Sequence, residues 1–169
     1  MPSARKPPVS DLSALLKKMN DARIEFILVG GLAAVVQGAP ITTFDLDIVH
    51  HQSDKNIKRL FKFLKSVDAY QRRFDDKIIK PDEMDLRGKG HLLLTTCFGP
   101  LDILCVIEKS LGYDELLPSA IEIEFKGRKT YVLSLETMIR LKHESTDPNE
   151  QYRLKIYRET LRLKIKSQP

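Results

Sequence analysis

The segment Gly30–His51, GGLAAVVQGAPITTFDLDIVHH, sets Asp45 and Asp47 two positions apart in an otherwise apolar run. In a strand alternate side chains share a face, so both carboxylates point one way while Leu46 and Ile48 point into a core. Their Cα atoms would stand ~6.5–7 Å apart. Burying two like charges is costly. A hard cation between them removes that cost, and magnesium, which takes oxygen ligands and keeps positions for water or substrate phosphate, suits the pair. A second apolar run, GPLDILCV, carries one acid, Asp102. If this run lies beside the first, Asp102 reaches the same place. Three acids on neighbouring strands can hold two metals ~3.5–4 Å apart, an arrangement that stabilises the attacking and leaving oxygens of an in-line phosphoryl displacement. Gly30 and Gly31 stand between an apolar strand and a helix start. Without a Cβ the backbone there can approach a phosphate closely, and the helix start offers free N–H groups. Phosphates at the glycines and metals at the aspartates would together hold a nucleoside triphosphate.

The elements that must position these residues follow from hydrophobic periodicity. Residues 11–20 place Leu12, Leu15, Leu16 and Met19 at helical spacing, with Ser10 or Asp11 as cap. A strand over 25–30 stops at glycine, and a short helix follows, with Gly38 suited to its end. The DLD strand spans 45–51. Ser53 caps a longer helix whose apolar face is Ile57, Leu60, Phe61 and Leu64. QRRFDDKIIKPDEMDLRGKG reads as a polar loop. Two strands joined by a turn at Phe98-Gly99-Pro100, a hairpin turning near Gly127, and two helices complete the chain, the last with Pro148 in its first turn. The order α, β-α-β, α, two paired strands, hairpin, two helices predicts an α/β (α+β) domain, a mixed β-sheet with flanking helices.

Bulk properties narrow the function. The chain has 169 residues, 42% hydrophobic and 30% charged, which describes one globular domain. No apolar run approaches ~18 residues, so no membrane span is expected. The start, MPSARKPPVS, lacks the apolar stretch of a signal peptide. Cys97 and Cys105 form no C-x-x-C pair and are expected as reduced core thiols, which points to the cytoplasm. The net charge is +5, and the excess gathers in QYRLKIYRETLRLKIK, where Arg153, Lys155, Arg158, Arg162, Lys164 and Lys166 face a single Glu159. Such a helix face is either solvated or turned to an anionic partner such as RNA. His50 and His51 are strand neighbours facing opposite sides and make a poor joint metal site. Tyr131, Tyr152 and Tyr157 are expected to pack in the core. No hydrolase elbow is present.

The pattern VGG followed by DLDI, with a separate LDIL strand third, resembles the DNA polymerase β-like nucleotidyltransferase superfamily. The stretch Gly30–Ile48 resembles its small bacterial branch, the toxin-type enzymes of toxin–antitoxin and abortive-infection systems. KTYVLSLETMIRLK resembles the hairpin-into-helix segment that follows there. The resemblance implies that an NMP moves from an NTP to an acceptor hydroxyl, with pyrophosphate released and two Mg2+ ions bound. It implies Asp45, Asp47 and Asp102 as metal ligands and catalytic residues, with Asp102 able to accept the proton of the attacking hydroxyl. It also implies Gly30 and Gly31 at the triphosphate, Thr43 supporting the DLD strand, and Lys142 paired with phosphate. Residues 1–10 would be a flexible lead-in, 11–145 the nucleotidyltransferase domain, and 146–169 a basic helix packed on it. RNA or tRNA is the expected acceptor, and a cognate antitoxin a possible partner. Relatives often carry arginine where Ile41 stands, and isoleucine cannot make bidentate phosphate contacts. Two alternatives stay open: an aminoglycoside-type small-molecule nucleotidyltransferase, and a nucleotide-binding module with impaired catalysis.

Overall fold

The computed structural model describes residues 10–169. Apart from Ser10, the expected lead-in lies outside the described residues. A seven-stranded mixed sheet runs in the order β3-β4-β5-β2-β1-β7-β6. Its strands are β1 (Phe26–Val29), β2 (Leu46–His50), β3 (Tyr70–Gln71), β4 (His91–Thr96), β5 (Gly99–Leu104), β6 (Ala120–Phe125) and β7 (Arg128–Leu133). The six helices are α1 (Leu12–Asp21), α2 (Gly30–Val36), α3 (Asp54–Ser66), α4 (Tyr113–Leu116), α5 (Leu135–Lys142) and α6 (Pro148–Ser167). This is the α+β, helix-flanked mixed sheet that the periodicities predict.

Local chemistry sets the helix starts. Asp11 caps α1, its Oδ1 accepting from the Ala14 N–H at 2.9 Å. Ser53 caps α3 and Ser134 caps α5 through side-chain oxygens. Asp147 caps α6, with Pro148 in the first turn where its missing N–H costs nothing. Gly38 lies just past α2 at φ +99 and turns the chain away from it. The interior strand β1, FILV, is buried along its whole length, with β2 and β7 on its two edges and α2 and α4 in contact with it. On the last helix, Leu154, Tyr157 and Thr160 are buried.

Several residues depart from expectation. Cys97 is exposed and only Cys105 is buried, because Cys97 falls in the β4–β5 turn rather than in either strand. Tyr131 and Tyr152 are exposed, leaving Tyr157 as the one core tyrosine of the three. The loop after α3 begins as strand β3, pairing Tyr70 with Thr95 and Gln71 with Leu94. The two residues of β3 are too few to show a period. Among the described residues, no helix is long and apolar enough to cross a membrane.

Candidate active site

Register brings two of the acids side by side. β2 and β5 run parallel with Asp47 directly opposite Asp102, so both carboxylates leave the same face. Asp45 stands one residue before β2, two positions from Asp47, and its charge acts on both Asp47 and Asp102. Burial pushes the Asp47 carboxyl up to about 7, with the charges of Asp102 and Asp45 adding to the effect against the opposing pull of Arg72 and Arg153. Asp102 is also raised, by burial first; Arg72 opposes this, and a hydrogen bond shared with Asp47 does the same. Three acids and the two arginines Arg72 and Arg153 thus share this cluster.

Gly30 adjoins it. Val29 pairs with Asp47 across β1–β2, so the chain reaches Gly30 beside the Asp47 side chain. Gly30 has φ +69, and a Cβ there would stand 2.9 Å from Asp47 Cγ and closer still to Oδ2. Both the backbone conformation and the space require glycine. Gly30→Ala is expected to cost about 2–3 kcal/mol from left-handed strain and overpacking. A fall in the urea midpoint with an unchanged slope would show it; an unchanged midpoint would contradict the close approach. A Cβ on Gly31 would meet Thr43 Oγ1 at 2.8 Å. Thr43 thus packs on the glycine turn, and its hydroxyl donates to the Asp45 carbonyl at 3.4 Å, tying the turn to the start of β2.

A cleft of about 760 Å³ opens from this point between the Gly30–Gly31 turn and helices α5 and α6, with Asp47 on its wall. That volume is within the range of small-molecule and cofactor sites. Lys142, Arg153 and Tyr157 line it as well. Lys142 is bound by Glu108 at 2.9 Å and by Glu150. Burial works to lower its pKa, but the two glutamates outweigh that and hold the ammonium charged. Arg153 stands nearer the glycines, with Nη1 3.6 Å from where a Gly31 Cβ would be. Burial pushes the Tyr157 hydroxyl up, and Arg153, one helical turn away along α6, opposes that shift. Ile41 lines the same cleft and packs against the core. The guanidinium absent at Ile41 is thus present in the cleft from α6.

Two functional candidates escaped the sequence. Arg153 is visible only as one of a basic series, and nothing local marks it as the residue brought over the glycines. Arg72 lies just past β3 and donates from Nη2 to Asp102 Oδ1 at 2.7 Å and to the Leu94 carbonyl at 2.9 Å. Only the β3–β4–β5 pairing brings it there. His50 and His51 do not join the site. His50 is buried and bonded through Nε2 to the Leu86 carbonyl at 2.7 Å, while His51 stacks near Tyr113.

The donor chemistry of Asp45 and Asp47 fits a magnesium-class ion. Both are hard oxygen ligands, and among the described residues neither forms an ion pair with a Lys, Arg or His. Asp102 differs, because Arg72 holds one of its oxygens. As the side chains stand, no group of three or more His, Cys, Asp or Glu among the described residues is arranged to hold a metal.

The seven-stranded mixed sheet with its flanking helices is the fold of solved nucleotidyltransferase structures. The lincosamide antibiotic adenylyltransferase LnuA, bound to lincomycin, superposes with a TM-score of 0.58 at 14% identity over 90% of this chain and 99% of that one. The antibiotic-resistance factor ANT(2'')-Ia gives 0.52 at 14% over 88% and 82%. An antigenic nucleotidyltransferase-like protein from Paracoccidioides brasiliensis gives 0.53 at 17% over 92% and 78%. No family model and no curated protein sequence matches this chain.

Proposed function

We propose that the protein transfers a nucleoside monophosphate from an NTP to an acceptor hydroxyl. The observation that carries this reading is the register pairing of Asp47 with Asp102 beside Gly30, with Asp47 lining the same cleft as Arg153 and Lys142. The triphosphate would lie along the glycine turn, with Arg153 on its oxygens and Lys142, held by Glu108 and Glu150, only a minor contact. Arg153 supplies the bidentate contact that Ile41 cannot. Asp45 and Asp47 would hold a divalent ion, which neutralises phosphate charge when bound. The acceptor oxygen attacks the α-phosphorus, the bond to the bridging oxygen breaks, and pyrophosphate leaves with that electron pair. Asp102 takes the acceptor's proton. Positioning and charge neutralisation do the catalytic work, with no covalent enzyme intermediate.

RNA is the acceptor favoured by α6, where Lys155, Arg158, Lys164 and Lys166 are exposed and Arg162 is paired with Glu159. A toxin-type role, with an antitoxin partner, rests on the motif resemblance alone. The second reading is a small-molecule acceptor, favoured by the fold likeness to LnuA and ANT(2'')-Ia. Incubation with each labelled NTP, Mg2+ and either total RNA or a panel of lincosamides and aminoglycosides separates the two. Label on RNA supports the first, label on an antibiotic the second, and nucleotide binding without label the impaired module.

The two cleft cations differ in how free they are. Arg153→Ala is expected to weaken NTP binding about tenfold, the loss of a charge-assisted contact of roughly 1.5 kcal/mol. Lys142→Ala is expected to change it less than about threefold, because Glu108 and Glu150 already occupy the ammonium. Titration calorimetry with each variant checks the order, and a reversed order would return the phosphate role to Lys142.

A further inference from the structure

We propose that Arg72 takes the place of a second cation at the acid cluster, so that the site binds one divalent ion, at Asp45 and Asp47, instead of two. The inference rests on the nucleotidyl-transfer reading of the same site. One cross-strand row carries it: Val29 pairs with Asp47, Asp47 with Asp102, and Asp102 with Leu93. The Arg72 N–H donates to the Leu93 carbonyl at 2.8 Å, which continues the β3–β4 register and sets Arg72 next in that row. Its side chain passes Leu93, which is 43% exposed, and reaches Asp102 Oδ1. The same Nη2 also donates to the Leu94 carbonyl. A side chain oriented by a fixed backbone acceptor as well as a carboxylate is a built contact rather than a chance surface pair.

Charge and ligand count agree. A two-ion site on three acids requires Asp102 to give an oxygen to one of the ions. Here Oδ1 is given to a guanidinium, and a divalent ion at that oxygen would face a fixed positive charge within a few ångströms of it. Among the described residues, neither Asp45 nor Asp47 forms such an ion pair. Asp102 keeps its other oxygen for the acceptor's proton, and Arg72 is a positioning residue that holds that carboxylate in place.

The test counts ions. Protein-bound Mn2+ is measured by electron paramagnetic resonance at saturation, with the four α,β-methylene nucleoside triphosphates tried in turn. Wild type and Arg72→Lys are expected to bind one Mn2+ per chain, and Arg72→Gln two. Circular dichroism checks that the variants fold. Should Arg72→Gln fail to fold, the counts for wild type and Arg72→Lys decide. Two ions in the wild type, or one in a folded Arg72→Gln chain, would overturn this inference and leave nucleotidyl transfer standing. No bound Mn2+ with any analogue would sink both.

Discussion

Asp47→Asn and Asp45→Asn are each expected to lower nucleotidyl-transfer kcat by at least about a thousandfold, a loss of roughly 4 kcal/mol of transition-state stabilisation. The amide keeps the shape of the side chain but not the anionic oxygens that would hold a divalent ion. Asp102→Asn is expected to fall in the same range, since an amide cannot take the acceptor's proton. The measurement is label transfer at saturating Mg2+ and NTP, on variants whose circular dichroism matches wild type. Transfer that survives in Asp47→Asn would place the chemistry elsewhere, because Asp47 is the acid that adjoins the glycine turn and pairs in register with Asp102 on β5.

The second large effect has the opposite sign. Metal-free Asp47→Asn is expected to be more stable than wild type, and the gain should grow with pH. The Asp47 carboxyl sits at about 7 in the folded chain against 3.8 ordinarily. Below 3.8 both states carry the proton and the group costs nothing. Between 3.8 and 7 the unfolded chain releases the proton while the folded chain keeps it, so stability falls as pH rises. Above 7 the penalty is complete. At about 1.4 kcal/mol for each tenfold change in proton affinity it approaches 4 kcal/mol. Urea unfolding in EDTA at pH 4 and pH 8 should therefore show a variant-minus-wild-type difference near zero at the first and about 2–4 kcal/mol at the second. Added Mg2+ should stabilise wild type and not the variant. A difference that stays flat between those pH values would contradict the burial of the Asp47 carboxyl among the other acids.

The same cluster shows how far a linear reading reaches. Alternation in DLDI and LDIL places acids on a strand face because the period of a strand is two residues, a local property. Capping residues, glycine positions and apolar periodicity likewise act within a few residues of themselves, so α1, α3, α5, α6 and the β6–β7 hairpin are visible in the chain. The short strand β3 is not visible, because its two residues have no period and exist as strand only through β4. Arg72 goes unseen with it. Cys97 and Tyr131 are exposed for a related reason: residue type expresses a tendency to be buried, while actual burial depends on which neighbour covers the face.

The sequence by itself determined the helix-flanked mixed sheet and the candidate acids and glycines, since each follows from spacing and residue type. Only the tertiary structure puts Asp47 and Asp102 in register, leaves Gly30 no room for a side chain, brings Arg153 into the cleft beside the glycines, and sets Arg72 on Asp102. These are pairings between segments tens of residues apart. They are set by strand register and by the packing of α6, which no local period encodes.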